Sequence, residues 1–310
     1  MVKQLDNSTI SKHLGQTSQY KATYDPSLLV REPRQANRNH LNIDDNNLPF
    51  IGNDTWNAYE VSGLTNKGLP VTGVAKIVYP CDSTYIVESK SIKLYFNSFN
   101  MTKLGDSDIN VLEEIEKRAA EDLSALLGTY VRVRVHTNGQ VLRDTTKASQ
   151  EWMHNEDTTP NYITLEESYP VEDIKFSIYS ETPELLQVIE DAPVEKVYYH
   201  SALLKSNCRV TSQPDWGDVY IYMKGKSTID PISLLQYIVS FRDECHFHEE
   251  ICETIYKRIM DAVGPDELSV KCLYARRGGI DINPERVSHK KLLHSTLSEV
   301  GVPHIKTPKQ

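Results

Sequence analysis

The residues most able to do chemistry in this 310-residue chain stand in one stretch, SNCRVTSQPDWGD, at positions 206–218. Cys208 lies seven residues before Asp215, and the cations Lys205 and Arg209 flank it. Nearby cations favour the thiolate, which is the nucleophilic form of cysteine. The stretch is therefore a candidate nucleophile site. The alternative is an inert buried thiol followed by an aspartate in a turn.

A second candidate is CHFHEEIC, at 245–252, whose cysteine, histidine and carboxylate side chains are all zinc ligands. His246 and His248 are two residues apart and would point to different sides of a helix, although Cys245 and Glu249 could share a face. The spacing matches no common zinc signature. The residues could also form a solvated first helical turn, where acidic side chains are favoured. As a third possibility, His248 and Glu249 could bind a heterocycle, since a glutamate accepts two parallel N–H bonds from a guanine-like edge.

A third candidate is RRGG, at 276–279. It could be a loop in which two glycines supply positive φ angles. It could equally let backbone amides and Arg277 approach a phosphate. No G-x-G-x-x-G follows a predicted strand, so the sequence does not support a Rossmann nucleotide site.

The two halves of the chain repeat one pattern. In ESKSIKLYFNSFN, at 88–100, four residues match DPISLLQYIVSFR, at 230–242. The matched residues are Ser91, Tyr95, Ser98 and Phe99 in the first half and Ser233, Tyr237, Ser240 and Phe241 in the second. The polar start is not shared, because Glu88 and Lys90 correspond to Asp230 and Ile232, which suggests that the second copy was free to drift. Only the first half has Glu-Ser-Lys-Ser and only the second has the other three candidates, so we expect a site where the halves meet.

The elements that must position these residues follow the same order in each half: strand, helix, helix, strand. Apolar and β-branched runs predict strands at 71–80, 131–136, 218–223 and 268–276, and helical spacing of apolar residues predicts the four helices between them. This duplicated order predicts an α+β fold, in which each half is an antiparallel sheet with two helices on one face.

The predicted organisation has four parts. Residues 1–50 are polar and predicted to be an extended arm with little regular structure. A first module spans 51–140, a linker spans 141–170, and a second module spans 171–310. Within the linker, the stretch 143–165 carries no motif, so its role and that of the arm stay open.

Composition excludes several classes of protein. The chain is 39% hydrophobic and 25% charged, with a net charge of −9, which argues against non-specific binding of nucleic acid or anionic membranes. The first 20 residues lack the apolar region of an export signal, and no apolar run is long enough to span a bilayer. The odd number of cysteines favours reduced thiols and a cytoplasmic protein. The five are Cys81, Cys208, Cys245, Cys252 and Cys272.

Five stretches, in order, resemble the NADPH-dependent 7-cyano-7-deazaguanine reductases (the QueF family) in their long, two-module form. They run from about Tyr24 to Pro284 and cover nearly the whole chain. The stretches are YDPSLLVREPRQANR, VESKSIKLYFNSFN, LLKSNCRVTSQPDWGDVYIYMKG, SFRDECHFHEE and ARRGGIDINP.

The resemblance implies a tunnelling fold (T-fold) in each half, related to GTP cyclohydrolase, and a homodimer. It implies reduction of the nitrile 7-cyano-7-deazaguanine to the primary amine 7-aminomethyl-7-deazaguanine in the queuosine pathway of tRNA modification. Two NADPH would supply the hydrides, and neither a metal, a nucleic acid nor a membrane would be bound.

The resemblance also implies roles for individual residues. Cys208 would attack the nitrile carbon to form a thioimide, and Asp215 would give a proton to the nitrile nitrogen. To hold that proton, Asp215 should have a pKa raised by burial or by a nearby anion. The substrate would be bound by Glu88, Ser89, Lys90, His248 and Glu249. NADPH would contact Lys90, Ser91, Arg277 and Gly278, with Arg276 sharing the phosphate contact.

Two other functions stay open. One is a zinc-dependent hydrolase of the GTP cyclohydrolase type, with Cys208 and histidines as ligands. The other is a purine-binding module without turnover. Cys81 matches no catalytic position, and we interpret it as structural.

Overall fold

The computed structural model describes residues 20–137, 139, 162–302 and 309–310. The first part of the predicted arm and most of the stretch 143–165 lie outside the described residues. No helix in the described part of the chain has the length and apolar character needed to cross a membrane.

The described residues form a mixed α+β fold built on one 11-stranded sheet. The strands are β1 (Arg31–Pro33), β2 (Ile51–Thr65), β3 (Pro70–Pro80), β4 (Tyr85–Val87), β5 (Lys103–Gly105), β6 (Arg132–Thr137), β7 (Ile163–Thr164), β8 (Val188–Ile189), β9 (Val194–Ser201), β10 (Lys205–Cys208), β11 (Pro214–Gly225), β12 (Thr228–Ile229), β13 (Cys245–His246), β14 (Glu267–Tyr274) and β15 (Ile280–Val287). The α-helices are α1 (Gln35–His40), α2 (Ser89–Ser98), α3 (Asp108–Leu127), α4 (Leu165–Ser168), α5 (Pro231–Ser240), α6 (His248–Val263) and α7 (Ser295–Ser298).

The main run of the sheet is antiparallel throughout, in the order β9-β11-β14-β15-β2-β3-β6. The predicted strands at 71–80, 131–136, 218–223 and 268–276 are confirmed as β3, β6, β11 and β14. All four predicted helices are confirmed as α2, α3, α5 and α6. Each half therefore contains the expected strand, helix, helix, strand order, together with additional strands.

Three long strands, β2, β9 and β15, were not predicted, and β2 and β15 lie at the junction of the halves. β2 pairs with β15 through eight residues of each strand, and we name this junction the seam. Both strands contain polar residues, and β15 contains Pro284, so neither resembles an ordinary strand in sequence. The polar residues are accommodated because side chains alternate between the two faces of the sheet.

The two faces of the seam differ in character. On the helix side, Ile280 and Ile282 pack with Trp56 in the core of the first half. On the opposite side, Asp281 accepts a hydrogen bond from Asn57 at 2.6 Å. The C-terminal segment covers this polar side, where buried Lys76 donates to the backbone carbonyls of Thr296 and Val302.

The helices fill two hydrophobic cores. Helices α2 and α3 pack on β2, β3 and β6, whereas α5 and α6 pack on β9, β11 and β14. Arg286 of β15, on the same face as Ile280, contacts Glu253 of α6. The helices of both halves therefore lie on one face of the shared sheet.

The expectation of an arm with little regular structure is wrong for residues 20–50. This segment contains a 3₁₀ helix (Pro26–Leu28), β1 and α1. Two of its arginines, Arg34 and Arg38, are buried, because they pair with buried carboxylates of β2 and α6. They belong to a group that we name the buried ion cluster, consisting of Arg34, Arg38, Asp54, Glu253 and Arg286.

Candidate active site

A cavity of about 230 Å³ opens at the seam, and both halves line it. The first half contributes residues of β2 and the start of α2, and the second contributes β10, the start of α6 and the turn between β14 and β15. The lining residues are Trp56, Val87, Glu88, Ser89, Lys90, Lys93, Cys208, Val210, Thr211, Asp215, His246, Phe247, His248, Glu249, Ala275, Arg277, Gly278, Ile280 and Ile282. The cavity thus brings together nearly all of the predicted site residues.

Cys208 is the last residue of β10 and is half-buried. A tight turn follows it, in which the N–H of Cys208 donates to the carbonyl of Gln213 at 2.8 Å and the N–H of Ser212 donates back to Cys208 at 2.9 Å. Ser212 has a positive φ of 53°, as such a turn requires. The turn brings the chain back into β11, so that Asp215 reaches the same cavity.

The cations that flank Cys208 in sequence are engaged elsewhere. Lys205 donates to the carbonyl of Arg242, and Arg209 pairs with Glu250 at 2.5 Å. Alternation along the strand explains this, because residues next to Cys208 point away from it. The cation that does interact with Cys208 is Arg277, from the turn after β14.

Asp215 is buried between two basic groups. His248 Nε2 lies 3.4 Å from its Oδ2, and Arg277 pairs with its Oδ1. Burial alone would raise the pKa of Asp215, but the hydrogen bond and charge of His248, together with Arg277, outweigh burial and lower it. The expectation of a raised pKa is therefore wrong for this arrangement.

His248 and Glu249 begin α6 and face the cavity. The imidazole of His248 stacks on Tyr274, with ring centroids 3.7 Å apart and planes 5° from parallel. Glu249 is 2% exposed, and its Oε1 has no hydrogen-bond partner among the described residues. Burial, reinforced by Asp54, raises the pKa of Glu249 to about 8. An unpaired buried acceptor is costly, so this atom is positioned to accept hydrogen bonds from a ligand.

The start of α2 forms the opposite wall. Glu88 caps the helix, accepting hydrogen bonds from the N–H groups of Lys90 at 2.9 Å and Ser91 at 2.7 Å. Ser89 and Lys90 line the cavity beside it. Ser91 is not among the lining residues: it is buried, and its hydroxyl donates to the carbonyl of Glu88 at 2.7 Å.

RRGG forms a two-residue hairpin turn. Arg277 and Ile280 exchange backbone hydrogen bonds, and Gly278 and Gly279 have φ angles of 58° and 79°. The seam continues into this turn, since the N–H of Tyr59 donates to Gly279 at 2.9 Å. The turn therefore carries Arg277 across to the first half.

Arg276 points away from Asp215. Its guanidinium lies 3.4 Å from the ring centroid of Tyr59, so it is held against the first half by a cation–π contact.

Two ionisable lining residues were missed as binding candidates. Lys93 follows Ser89 by one helical turn and pairs with Glu60 at 3.4 Å. Its position could have been found from the i, i+4 spacing. His246 was considered only as a metal ligand, and each of its ring nitrogens lies 3.2 Å from a carboxylate oxygen, one of Glu244 and one of Glu250. Burial lowers the pKa of His246, but the two carboxylates outweigh burial and raise the pKa to about 9.

No metal centre was predicted from the sequence. Within the described ranges, no three or more His, Cys, Asp or Glu side chains are grouped as a metal ion would require.

Comparison with known proteins identifies the family. The model "Nitrile reductase, 7-cyano-7-deazaguanine-reductase N-term" matches residues 20–135, and "QueF-like protein" matches residues 214–292. The apo archaeosine synthase QueF-Like covers 32% of this chain and 91% of its own, at 14% identity and a TM-score of 0.27, too low to establish a shared fold.

Three curated relatives are NADPH-dependent 7-cyano-7-deazaguanine reductases. That of Legionella pneumophila (strain Lens) is 41% identical over 280 residues, covering 90% of each chain. That of Colwellia psychrerythraea (strain 34H / ATCC BAA-681) is 40% identical, covering 89% of this chain and 91% of its own. That of Dechloromonas aromatica (strain RCB) is 42% identical, covering 88% of this chain and 89% of its own. With a cavity that unites the family's motifs at the seam, the chain belongs to the NADPH-dependent 7-cyano-7-deazaguanine reductases.

Proposed function

We propose that this chain reduces 7-cyano-7-deazaguanine to 7-aminomethyl-7-deazaguanine with NADPH, in the queuosine pathway. One observation carries the proposal: a half-buried cysteine, a buried aspartate and an unpaired buried glutamate oxygen share one cavity. A nucleophile, a proton-transferring group and a recognition group for a purine-like edge are the parts that this reaction needs.

Cys208 is proposed as the nucleophile. A nitrile carbon accepts hydride poorly, so the Cys208 thiolate first adds to it, forming a carbon–sulfur bond and turning the triple bond into a C=N bond. The nitrogen takes up a proton, giving a thioimide. Covalent addition thereby divides one difficult reduction into easier steps. The guanidinium of Arg277 interacts with Cys208 and lies beside the point of attack.

Asp215 is proposed as the group that delivers this proton. Because Arg277 and His248 lower the pKa of its carboxyl, the carboxyl must lose one of these contacts in order to hold a proton. Arg277 is also a proposed cofactor ligand, and its side chain is 41% exposed. Movement of Arg277 away from Asp215 would raise the pKa of the carboxyl and prepare it for proton delivery.

Glu249 and His248 are proposed to bind the deazaguanine ring system. The carboxylate of Glu249 would accept the two parallel N–H bonds, and His248, fixed by stacking on Tyr274, would contact the ring. Glu88, Ser89 and Lys90 would close the pocket from the first half. The carboxylate of Glu88 would therefore have two roles, because it caps α2 and also lines the pocket.

The residues at the cavity mouth fit a phosphate-bearing cofactor. Lys90, Lys93 and Arg277 are cationic, and the glycine turn allows close approach of the backbone. A Cβ atom on Gly278 would lie 3.3 Å from Lys93 Nζ, so a side chain there would crowd this group of cations. These residues and Gly278 would hold NADPH, which supplies the hydrides when bound. Ser91 would support the helix rather than touch the cofactor.

The architecture that we propose is two tandem T-fold modules, 51–140 and 171–310, in a cytoplasmic homodimer. Its support is the antiparallel sheet shared across the seam, with two long helices of each half on one face. Unpaired strand edges at the ends of the sheet would be covered by a second copy.

Incubation with 7-cyano-7-deazaguanine and NADPH tests the activity directly. Loss of NADPH absorbance together with formation of the primary amine supports the reductase. Binding of the nitrile without NADPH consumption would favour the purine-binding module. Stoichiometric zinc in active protein would favour the zinc-dependent hydrolase.

A further inference from the structure

The buried ion cluster includes Glu253, which lies one helical turn after Glu249 on α6, and the proposed reaction gives the cluster no role. Glu253 follows Glu249 by four residues, so both project from one face of α6. Glu253 Oε1 lies 2.9 Å from Arg286 Nη2, and Asp54 Oδ1 lies 2.8 Å from Arg286 Nη1. The cluster therefore joins α6 to both strands of the seam at the base of the cavity.

Arg34 completes the cluster from the N-terminal segment. It pairs with Asp54, and its Nη1 lies 3.6 Å from Glu253 Oε1 without forming a hydrogen bond among the described residues. Arg34, Asp54 and Arg286 are each at most 3% exposed, so salt and water screen their charges little.

The groups acting on Glu249 come from several elements. Burial raises its pKa most, Asp54 of β2 raises it further, and Arg34 and Arg286 lower it. Tyr79 of β3 also lies within electrostatic reach. The other charged or titratable groups that line the cavity are Glu88, Lys90, Lys93, Cys208, Asp215, His246, His248 and Arg277.

The protonation state of Glu249 decides what it can bind. An ionised carboxylate offers two acceptor oxygens, whereas a protonated one offers a donor and a single acceptor oxygen. A guanine-like edge presents two parallel N–H donors, so a protonated Glu249 cannot accept both. Its unpaired Oε1 therefore becomes half of the required acceptor pair only after the proton has left.

We propose that Asp54 and Arg34 are positioning residues for substrate recognition, which set by opposite charges whether Glu249 holds a proton before the substrate arrives. Substrate binding then releases this proton to solvent. The inference rests on the proposed function, because it takes the substrate's paired N–H groups as the ligand of Glu249.

The test is calorimetric titration of 7-cyano-7-deazaguanine, without NADPH, in two buffers of different ionisation enthalpy. All proteins carry Cys208→Ala, so that only non-covalent binding is measured. For this reference protein, about one proton should be released per chain at neutral pH, and the affinity should rise about tenfold per pH unit until it levels off above pH ~8.

The two cluster variants should shift this midpoint in opposite directions. Asp54→Asn removes a negative charge and should lower the midpoint by about one pH unit, whereas Arg34→Gln should raise it by a similar amount. A general loss of stability of the fold would move the midpoints of both variants in the same direction. Glu285→Gln is the matched control, because this buried carboxyl lies on the opposite face of β15 and bonds the N–H of His294.

Circular dichroism melting identifies any variant that does not fold. Arg286→Gln, which should raise the midpoint, replaces Arg34→Gln in that case, and Asp54→Ser replaces Asp54→Asn. Midpoints that shift together, or not at all, overturn the inference. Absence of binding by the reference protein at every pH would instead overturn the proposed function.

Discussion

The starts of α2 and α5 are built by the same hydrogen bonds and differ in what they face. Glu88 and Asp230 both cap their helices through the side chain. Ser91 donates to the carbonyl of Glu88 at 2.7 Å, and Ser233 donates to that of Asp230 at 2.8 Å. Asp230 therefore has a structural role at the helix end, since its carboxylate accepts a hydrogen bond from the N–H of Ser233 at 2.8 Å.

The duplication extends to the segments that support these helix starts. The N–H of Val30 donates to Ser91 Oγ, and the N–H of Gln187 donates to Ser233 Oγ, both at 3.1 Å. A 3₁₀ helix precedes each supporting residue, Pro26–Leu28 in one half and Pro183–Leu185 in the other. The scaffold is thus the same twice, and only the α2 copy lines the cavity.

The proposed nucleophile, Cys208, lies in the second half alone, and its substitution should give the largest effect. Cys208→Ala should reduce turnover by at least about a thousandfold, because no other group can form the thioimide. Wild-type protein given the nitrile without NADPH should gain the mass of one substrate per chain. Cys245→Ala is the control, since this exposed cysteine lies on the adjacent strand outside the cavity lining. An unchanged mass with the substrate bound would contradict the assignment.

Removal of the two capping carboxylates should give the second-largest effect. Glu88→Ala and Asp230→Ala should each destabilise the protein by about 1 kcal/mol, as loss of a helix cap does. Only Glu88→Ala should also weaken substrate affinity, by about tenfold, because only Glu88 lines the cavity. Thermal melts and substrate titrations of both variants provide the measurement. Equal losses of affinity would show that the two helix starts do not differ in function.

Substitutions of the two arginines of the hairpin turn should differ in their effect on the pH–rate profile. Arg277→Met removes a cation that lowers the pKa of Asp215, so this pKa should rise. Because proton delivery needs the protonated form, the alkaline fall in kcat/KM, which reports the free enzyme, should move to higher pH. Arg276→Met should leave the profile in place, since Arg276 contacts Tyr59 instead. A profile that moves equally in both variants would argue against the Arg277–Asp215 coupling.

The smallest effect concerns the matched serines. Ser91→Ala and Ser233→Ala should each cost about 1 kcal/mol of stability, because each removes equivalent hydrogen bonds. The KM for NADPH should stay the same in both variants if Ser91 supports the helix and does not touch the cofactor. A selective rise in this KM for Ser91→Ala would restore the predicted cofactor contact.

The sequence predicts elements best where one face is apolar and the other polar. VRVRVH alternates strictly and was recognised as β6, and the helices were recognised from their apolar stripes. β2 and β15 were missed, because the C-terminal segment covers polar residues on their second face. That covering is a long-range contact, and no local pattern encodes it.

The candidate site follows the same division. Motif residues such as Cys208 and Glu249 could be named from sequence, and the cavity contains them. The charged partners that set the electrostatics of the site and of the buried ion cluster could not be predicted, because these partners are distant in the chain. Arg277 is 62 residues from Asp215, and Arg38 is 215 residues from Glu253.

The two halves are connected along the chain at one place and contact each other at another. The first module ends at β6, and the linker residues of β7 lie beside β9 of the second module, so the two lie at opposite ends of the main sheet run. The seam, in the middle, is held in the described residues by non-covalent contacts: hydrogen bonds, packing and the ion pair between Arg286 and Asp54. The connecting peptide therefore acts on stoichiometry and effective concentration: it supplies one half that carries Glu88 for every half that carries Cys208.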